Sequence, residues 1–269
     1  MYPFFDSFFP SVWLFSGTSD TVVHPGVVKK NEAFFRYYMP EAAVQAIYNV
    51  PVRPSISARL KYVISGIAFR IPIPAPSSDS RHYLIIHGCL FARLVPIAQA
   101  EHAWITSGFG SQCAYLGAPY INACQFDMSY TMLNFIFSGS MLPPPPGTVA
   151  PVANLKSLSQ KQFTPDHAAP ASLSLFDTAY AYFATSCIQS TAGCRVHVAF
   201  HGCEQTIPDI GMAFVNHSGL NEVAEVNKLI ILYPQAIKST LLPFNPKGCF
   251  DWCVCACIPV HTFDGVAFV

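Results

Sequence analysis

The chain has 269 residues, 52% of them hydrophobic and only 11% charged, with 15 basic side chains balancing 15 acidic ones. So apolar a composition excludes a disordered charged tail, and zero net charge without a basic stripe excludes nucleic acid as the main partner. No uncharged apolar run reaches the roughly 18 residues of a membrane helix; the nearest, 83–98, is interrupted by His87, Arg93 and Pro96.

Residues 11–16 (SVWLFS) read as a buried strand ended by a turn at 17–20. Helical periodicity follows over 27–38, with Val28, Phe34, Phe35 and Tyr38 as its apolar positions. A second helical piece is expected at 41–48, after Pro40. The stretch 51–98 differs in character: six prolines, a Ser/Asp patch and no single period mark it as an insertion. Order resumes at Glu101-His102-Ala103-Trp104, a helix is expected over 121–137, and Pro143 to Pro146 form a stiff extended link. Residues 152–171 read as polar loop, and the aromatic-rich 176–184 as a strand or short helix. Two apolar strands, 196–200 and 229–233, enclose a helical stretch and make a strand–helix–strand unit. One large domain or two small ones fit this length, with a substantial core.

Ten cysteines are many for a cytosolic protein, and structural disulfides persist in oxidising compartments. The short spacings favour Cys113 with Cys124 and Cys187 with Cys194. The opening MYPFFDSFFP shows no basic n-region and no clear apolar h-region of a signal peptide. Cysteine content points to secretion; the first residues do not.

The chemistry concentrates where strands end. His201-Gly202-Cys203 directly follows a strand, where a backbone N–H can be aimed at a developing oxyanion and glycine permits close approach; the plain alternative is a strand-to-helix turn. Cys203 could be a thiol nucleophile or supply only its N–H while its sulfur is bridged; the reading taken here is the bridge, with Cys249 as partner. Asp20, just past the first strand, is placed either to orient a catalytic histidine or to cap a turn. His102, in a loop, is a candidate general base, against an ordinary surface histidine. His24 is a second candidate but sits in the turn beside Asp20, where it shapes the loop. Cys253, Cys255, Cys257 and His261 lack the usual zinc-knuckle spacing and a second pair, so no metal is expected. No G-x-S-x-G elbow occurs in the 269 residues.

Three long stretches carry a resemblance: VWLFSGTSDTVVHPGVVKKNEAFFRYYM at 12–39, EHAWITSGFG with CAYLGAPYINACQFDM at 101–128, and CRVHVAFHGCEQ through NPKGCFDW at 194–252. On these the chain resembles the extracellular poly(3-hydroxybutyrate) depolymerases of the circularly permuted α/β-hydrolase group. The resemblance implies an α/β fold, an extracellular location and hydrolysis of short-chain polyesters or similar esters through an acyl-enzyme, without metal or organic cofactor. In that family the serine elbow comes first, then the triad Asp, the His, and last the oxyanion strand. By resemblance Asp20 is the triad acid, His102 the base, the Cys203 N–H an oxyanion donor, and Trp252 a lining of the polymer-binding crevice.

Three departures accompany it. The serine segment is expected ahead of Tyr2, residues 51–98 have no counterpart, and the text from Cys253 onward is unrelated. The expected organisation is therefore a first part of a hydrolase domain at 1–50, an insertion at 51–98, the remainder at 99–252 and a divergent tail at 253–269. These departures match an incomplete gene model, with splice junctions expected near 50, 98 and 252. The 269 residues alone are expected to lack triad activity; the alternative is a polyester- or lipid-binding or vestigial protein.

Overall fold

The computed structural model describes residues 11–48 and 99–250. The expected insertion at 51–98, Trp252 and the cysteine-rich tail lie outside the described residues.

Strand β1 (Val12–Phe15) leads through a turn into helix α1 (Pro25–Tyr38). Pro25 pre-sets the first helical turn, and the His24 ring caps it by accepting the Gly26 N–H at 3.1 Å. Residues 41–48 are not the second helix expected. One 3-10 turn over Glu41–Ala43 passes into strand β2 (Val44–Ile47), which pairs in parallel with β1, Val12 opposite Val44. Pairing with β1 outweighs local periodicity here, and β-branched Val44 and Ile47 suit the pleat.

Strands β3 (Trp104–Thr106), β4 (Ser111–Gln112) and β5 (Ile121–Ala123) form a small parallel sheet in the order β3-β5-β4. The single helix expected over 121–137 is in fact β5 followed by α2 (Met128–Ile136). Two local features divide it. Gln125 takes a positive φ of 57°, and Asp127 caps α2 by accepting the Tyr130 N–H at 2.9 Å.

The third sheet has the order β6-β7-β9-β8. Strand β6 (Leu155–Ser159) lies inside the stretch read as loop; its polar text LKSLS belongs to a sheet edge, where hydrophobic patterning is weak. The segment 176–184 resolves to strand β7 (Thr178–Phe183), antiparallel to both β6 and β9 (Leu229–Tyr233). After the short helix α3 (Thr185–Gln189), β8 (Arg195–Val198) runs parallel to β9, as a strand–helix–strand unit requires. The connecting stretch is three helices, α4 (Ile207–Ile210), α5 (Ala213–His217) and α6 (Leu220–Asn227). Leu220, Val223 and Ala224 on one face of α6 are fully buried against Leu229, Ile231 and Tyr233 on one face of β9. A second apolar cluster, Ala100, Ile105, Cys124, Phe126 and Met128, is packed by Trp13 and Phe15 of β1 and Ile47 of β2.

Disulfides join Cys113 to Cys124, Cys187 to Cys194 and Cys203 to Cys249, the three pairings expected. Among the described residues, no helix is long and apolar enough to cross a membrane.

Candidate active site

The turn after β1 and the loop before β3 are 80 residues apart in the chain but in contact. Gly17 makes this possible: a Cβ there would lie 2.1 Å from the Ala100 carbonyl oxygen. With nothing but hydrogen at that position, the Ser19 N–H donates to Ala100 O at 3.1 Å and the two loops close on each other. Asp20 then stands beside His102, its Oδ2 3.0 Å from Nδ1. Its other oxygen accepts the N–H groups of Val22 and Val23 at 3.0 and 2.7 Å, so the carboxylate is fixed from both sides. A carboxylate can only accept, which puts the imidazole proton on Nδ1 and leaves Nε2 as a base. The Asp20 side chain is 8% exposed and that of His102 44%, a buried anchor under a reachable ring.

Glu101, which the sequence reading treated only as a flank of His102, braces the same junction. It is buried, accepts the Thr21 N–H at 2.9 Å, the Thr21 hydroxyl, and the His102 N–H at 2.7 Å. Burial raises the pKa of its carboxyl, but those three donors prevail and hold it below the usual carboxylate range. A carboxylate adjacent to a loop histidine was the available signal.

His201-Gly202-Cys203 lies past the end of β8. His201 is buried and serves as a fastener: its Nε2 accepts the Ala236 N–H at 3.1 Å, and its Nδ1 lies 2.8 Å from Gly202 O. Burial pushes its pKa down, keeping the ring neutral. Gln205 was also missed. Its Oε1 accepts the Gly202 N–H at 2.7 Å, and its Nε2 donates to the carbonyls of Pro119 and Tyr120 at 3.1 and 3.0 Å. The Tyr120 carbonyl also accepts the Trp104 N–H at 2.8 Å, so one amide ties the Cys203 loop to the strand that follows His102. With Gly202 N–H taken by Gln205, Cys203, an exposed residue, has a main-chain N–H that meets no acceptor among the described residues. The sulfur is bonded to Cys249, which excludes Cys203 as a thiol nucleophile in this form. Glu204 beside it pairs with Lys247 at 3.3 Å and accepts the Tyr120 hydroxyl at 3.2 Å.

His24 takes no part: its ring caps α1. Trp252 falls outside the described residues. Among them there is no cluster of three or more metal-ligating side chains, and the cysteine group at 253–257 with His261 lies beyond them.

No protein-family profile matches the chain. It is 27% identical over 242 residues to the poly(3-hydroxybutyrate) depolymerase of Delftia acidovorans, covering 90% of this chain and 37% of that protein. It is 32% identical over 164 residues to the polyhydroxybutyrate depolymerase of Talaromyces funiculosus, covering 57% of this chain and 46% of that protein. The chain thus spans less than half the length of these curated relatives. Among solved structures, PHB depolymerase from Penicillium funiculosum superposes with a TM-score of 0.63 at 26% identity, over 89% of this chain and 61% of that one. A variant PHB depolymerase complexed with an R3HB trimer matches with the same TM-score at 25% identity. By sequence and by its α/β-hydrolase-like fold, the chain is similar to the polyhydroxybutyrate depolymerases, and it spans a part of their length.

Proposed function

We propose that this site is the acid–base and oxyanion portion of a serine esterase acting on poly(3-hydroxybutyrate) or a similar short-chain polyester. The contact between Asp20 and His102, made across 82 residues of chain at 3.0 Å, carries the reading. Asp20 holds the imidazole with its proton on Nδ1, so Nε2 is free to take a proton from an attacking hydroxyl and return it to the leaving alkoxide. The Cys203 N–H is a donor for the carbonyl oxygen as charge builds on it. The similar depolymerases supply the substrate class, and the trimer bound to the solved variant supports an oligomer of 3-hydroxybutyrate as probe. Three disulfides support an extracellular setting.

The 269 residues contain no G-x-S-x-G elbow. By themselves they are therefore proposed to bind ester without turning it over. This same observation favours a second reading, a polyester-binding protein in which the pair has no chemical role.

Both parts are tested by titrating the 269-residue polypeptide with the 3-hydroxybutyrate trimer. Nuclear magnetic resonance follows the His102 ring and the Cys203 amide while monomer release is assayed. Saturable shifts at both groups without release support the proposal. Binding that leaves both groups unmoved favours the second reading. Release above that of His102→Ala overturns the claim of no turnover, and the absence of any binding overturns both readings.

A further inference from the structure

Nine asparagines occur in the sequence, and one of them, Asn216, begins an Asn-X-Ser/Thr triplet, Asn216-His217-Ser218, with no proline in the middle. This triplet is the acceptor pattern for N-linked glycan, a bulky hydrophilic group that a fold can carry only on its surface. The structure separates Asn216 from the rest. Asn122, Asn154, Asn221 and Asn245 are buried, and each commits its side chain to hydrogen bonds that hold loops or strands. Asn31, Asn134 and Asn227 are half-buried. Asn216, in α5, is exposed, and its amide side chain makes no hydrogen bond among the described residues; only its main-chain N–H is used, donating to Met212 O.

We propose that Asn216 is an N-glycosylation site. Burial around the triplet sets the order of events. Ser218 is 2% exposed in the folded chain, so its hydroxyl is accessible to a transferase only before α5 and α6 pack. The glycan is attached to the unfolded chain and then stays outside, on the one member of the triplet whose side chain remains wholly free. The three disulfides supply an independent observation, because bonds of that kind form in the oxidising lumen where this modification also takes place.

The position also matters for the site. His217, the next residue, stacks its ring on Phe109 at 3.9 Å, and the carbonyl of Ser218 accepts the Trp104 indole N–H at 2.8 Å. Trp104 and Phe109 belong to the strand and loop that follow His102. A glycan on Asn216 is therefore rooted one residue from the ring that stacks on Phe109, in the loop after β3, the strand that follows His102. This inference does not rest on the catalytic reading, because an inactive chain would be modified equally.

The chain is expressed behind a secretion leader in a eukaryotic cell, and chain retained in the endoplasmic reticulum is scored together with secreted chain. Peptide N-glycosidase F should lower its mass by one glycan and convert Asn216 to aspartate in the tryptic peptide. Asn216→Gln and Ser218→Ala should abolish that shift, and Ser218→Thr should preserve it. Unmodified mass in the wild-type chain overturns the proposal, as does a shift that persists in Asn216→Gln.

Discussion

Gln205 acts at three atoms at once. Its amide oxygen takes the Gly202 N–H and its amide nitrogen supplies the Pro119 and Tyr120 carbonyls. Removing a buried partner leaves those groups unpaired, which costs more than the bond itself contributes. Gln205→Leu, close in size but without the amide, is expected to lower unfolding stability by about 2 kcal/mol, read from urea midpoints. A loss under a few tenths would mean that water replaces the amide at this junction. His201 makes the residue-scale case for pH dependence. Its folded pKa is lowered by burial, so above the ordinary histidine value near 6.5 neither folded nor unfolded ring binds a proton and stability is complete. As pH falls below that value the unfolded chain takes up a proton that the folded ring resists, and stability is lost. His197, pushed by burial down to about 4 although part of its surface reaches solvent, adds a loss of the same sign. The melting temperature should therefore fall between about pH 7 and pH 5. His201→Gln, which can donate and accept without titrating, should flatten that fall. An unchanged slope would assign the effect elsewhere. Glu101 acts lower on the scale: its depressed carboxyl contributes stability above the ordinary value of 4.5 that is lost as pH falls through the folded one.

At the scale of elements, the critical junction is the turn after β1 against the loop before β3. Gly17 meets Ala100 O so closely that even a methyl group forces the two apart. Gly17→Ala is expected to destabilise by about 2–3 kcal/mol through overpacking. It should also separate Asp20 from His102, which loss of the downfield imidazole Nδ1 proton signal would report. Retention of that signal would show that the loops close without this approach. The same junction shows how element assignment from sequence fails. Residues 44–47, read locally as part of a helix, become a strand because β1 offers an open edge in parallel register. The break at 124–127 was readable, since Asp127 three residues before Tyr130 is a helix cap, but the apolar run through Ile121 and Phe126 hid it.

For the whole molecule, the Cys203–Cys249 disulfide is the longest-range covalent tie among the described residues, spanning 46 residues and closing α4 to α6 and β9 into one loop that begins just after β8. A cross-link of that span restricts the unfolded chain, and removing it through paired Cys203→Ala and Cys249→Ala is expected to cost about 2–4 kcal/mol. Denaturation with and without reductant measures this. If the reduced wild type and the double variant match in stability, this one bond accounts for the effect of reduction. If the reduced wild type is much weaker, the Cys113–Cys124 and Cys187–Cys194 bonds carry the difference. The tie also anchors the loop whose N–H is the proposed oxyanion donor, so fold stability and site geometry meet in one covalent bond.

Much of this was legible in the residues themselves. Strand β9 announces itself as a short continuous apolar run, LIILY, while the inward alternation of Leu229, Ile231 and Tyr233 is seen only in the fold. Cysteine spacing was enough for the two short disulfides, since chain entropy favours near neighbours. Asp20 and His102 stood out as candidates by their places after a strand and in a loop. Their distance did not, nor did the roles of Glu101 and Gln205, whose hydrogen-bond partners lie 80 or more residues away at Thr21, Pro119 and Tyr120. Local sequence encodes what a segment prefers. Which two loops a glycine lets touch, and which buried amide spans the contact, is decided only when distant segments pack, because those energies exist only in the folded chain.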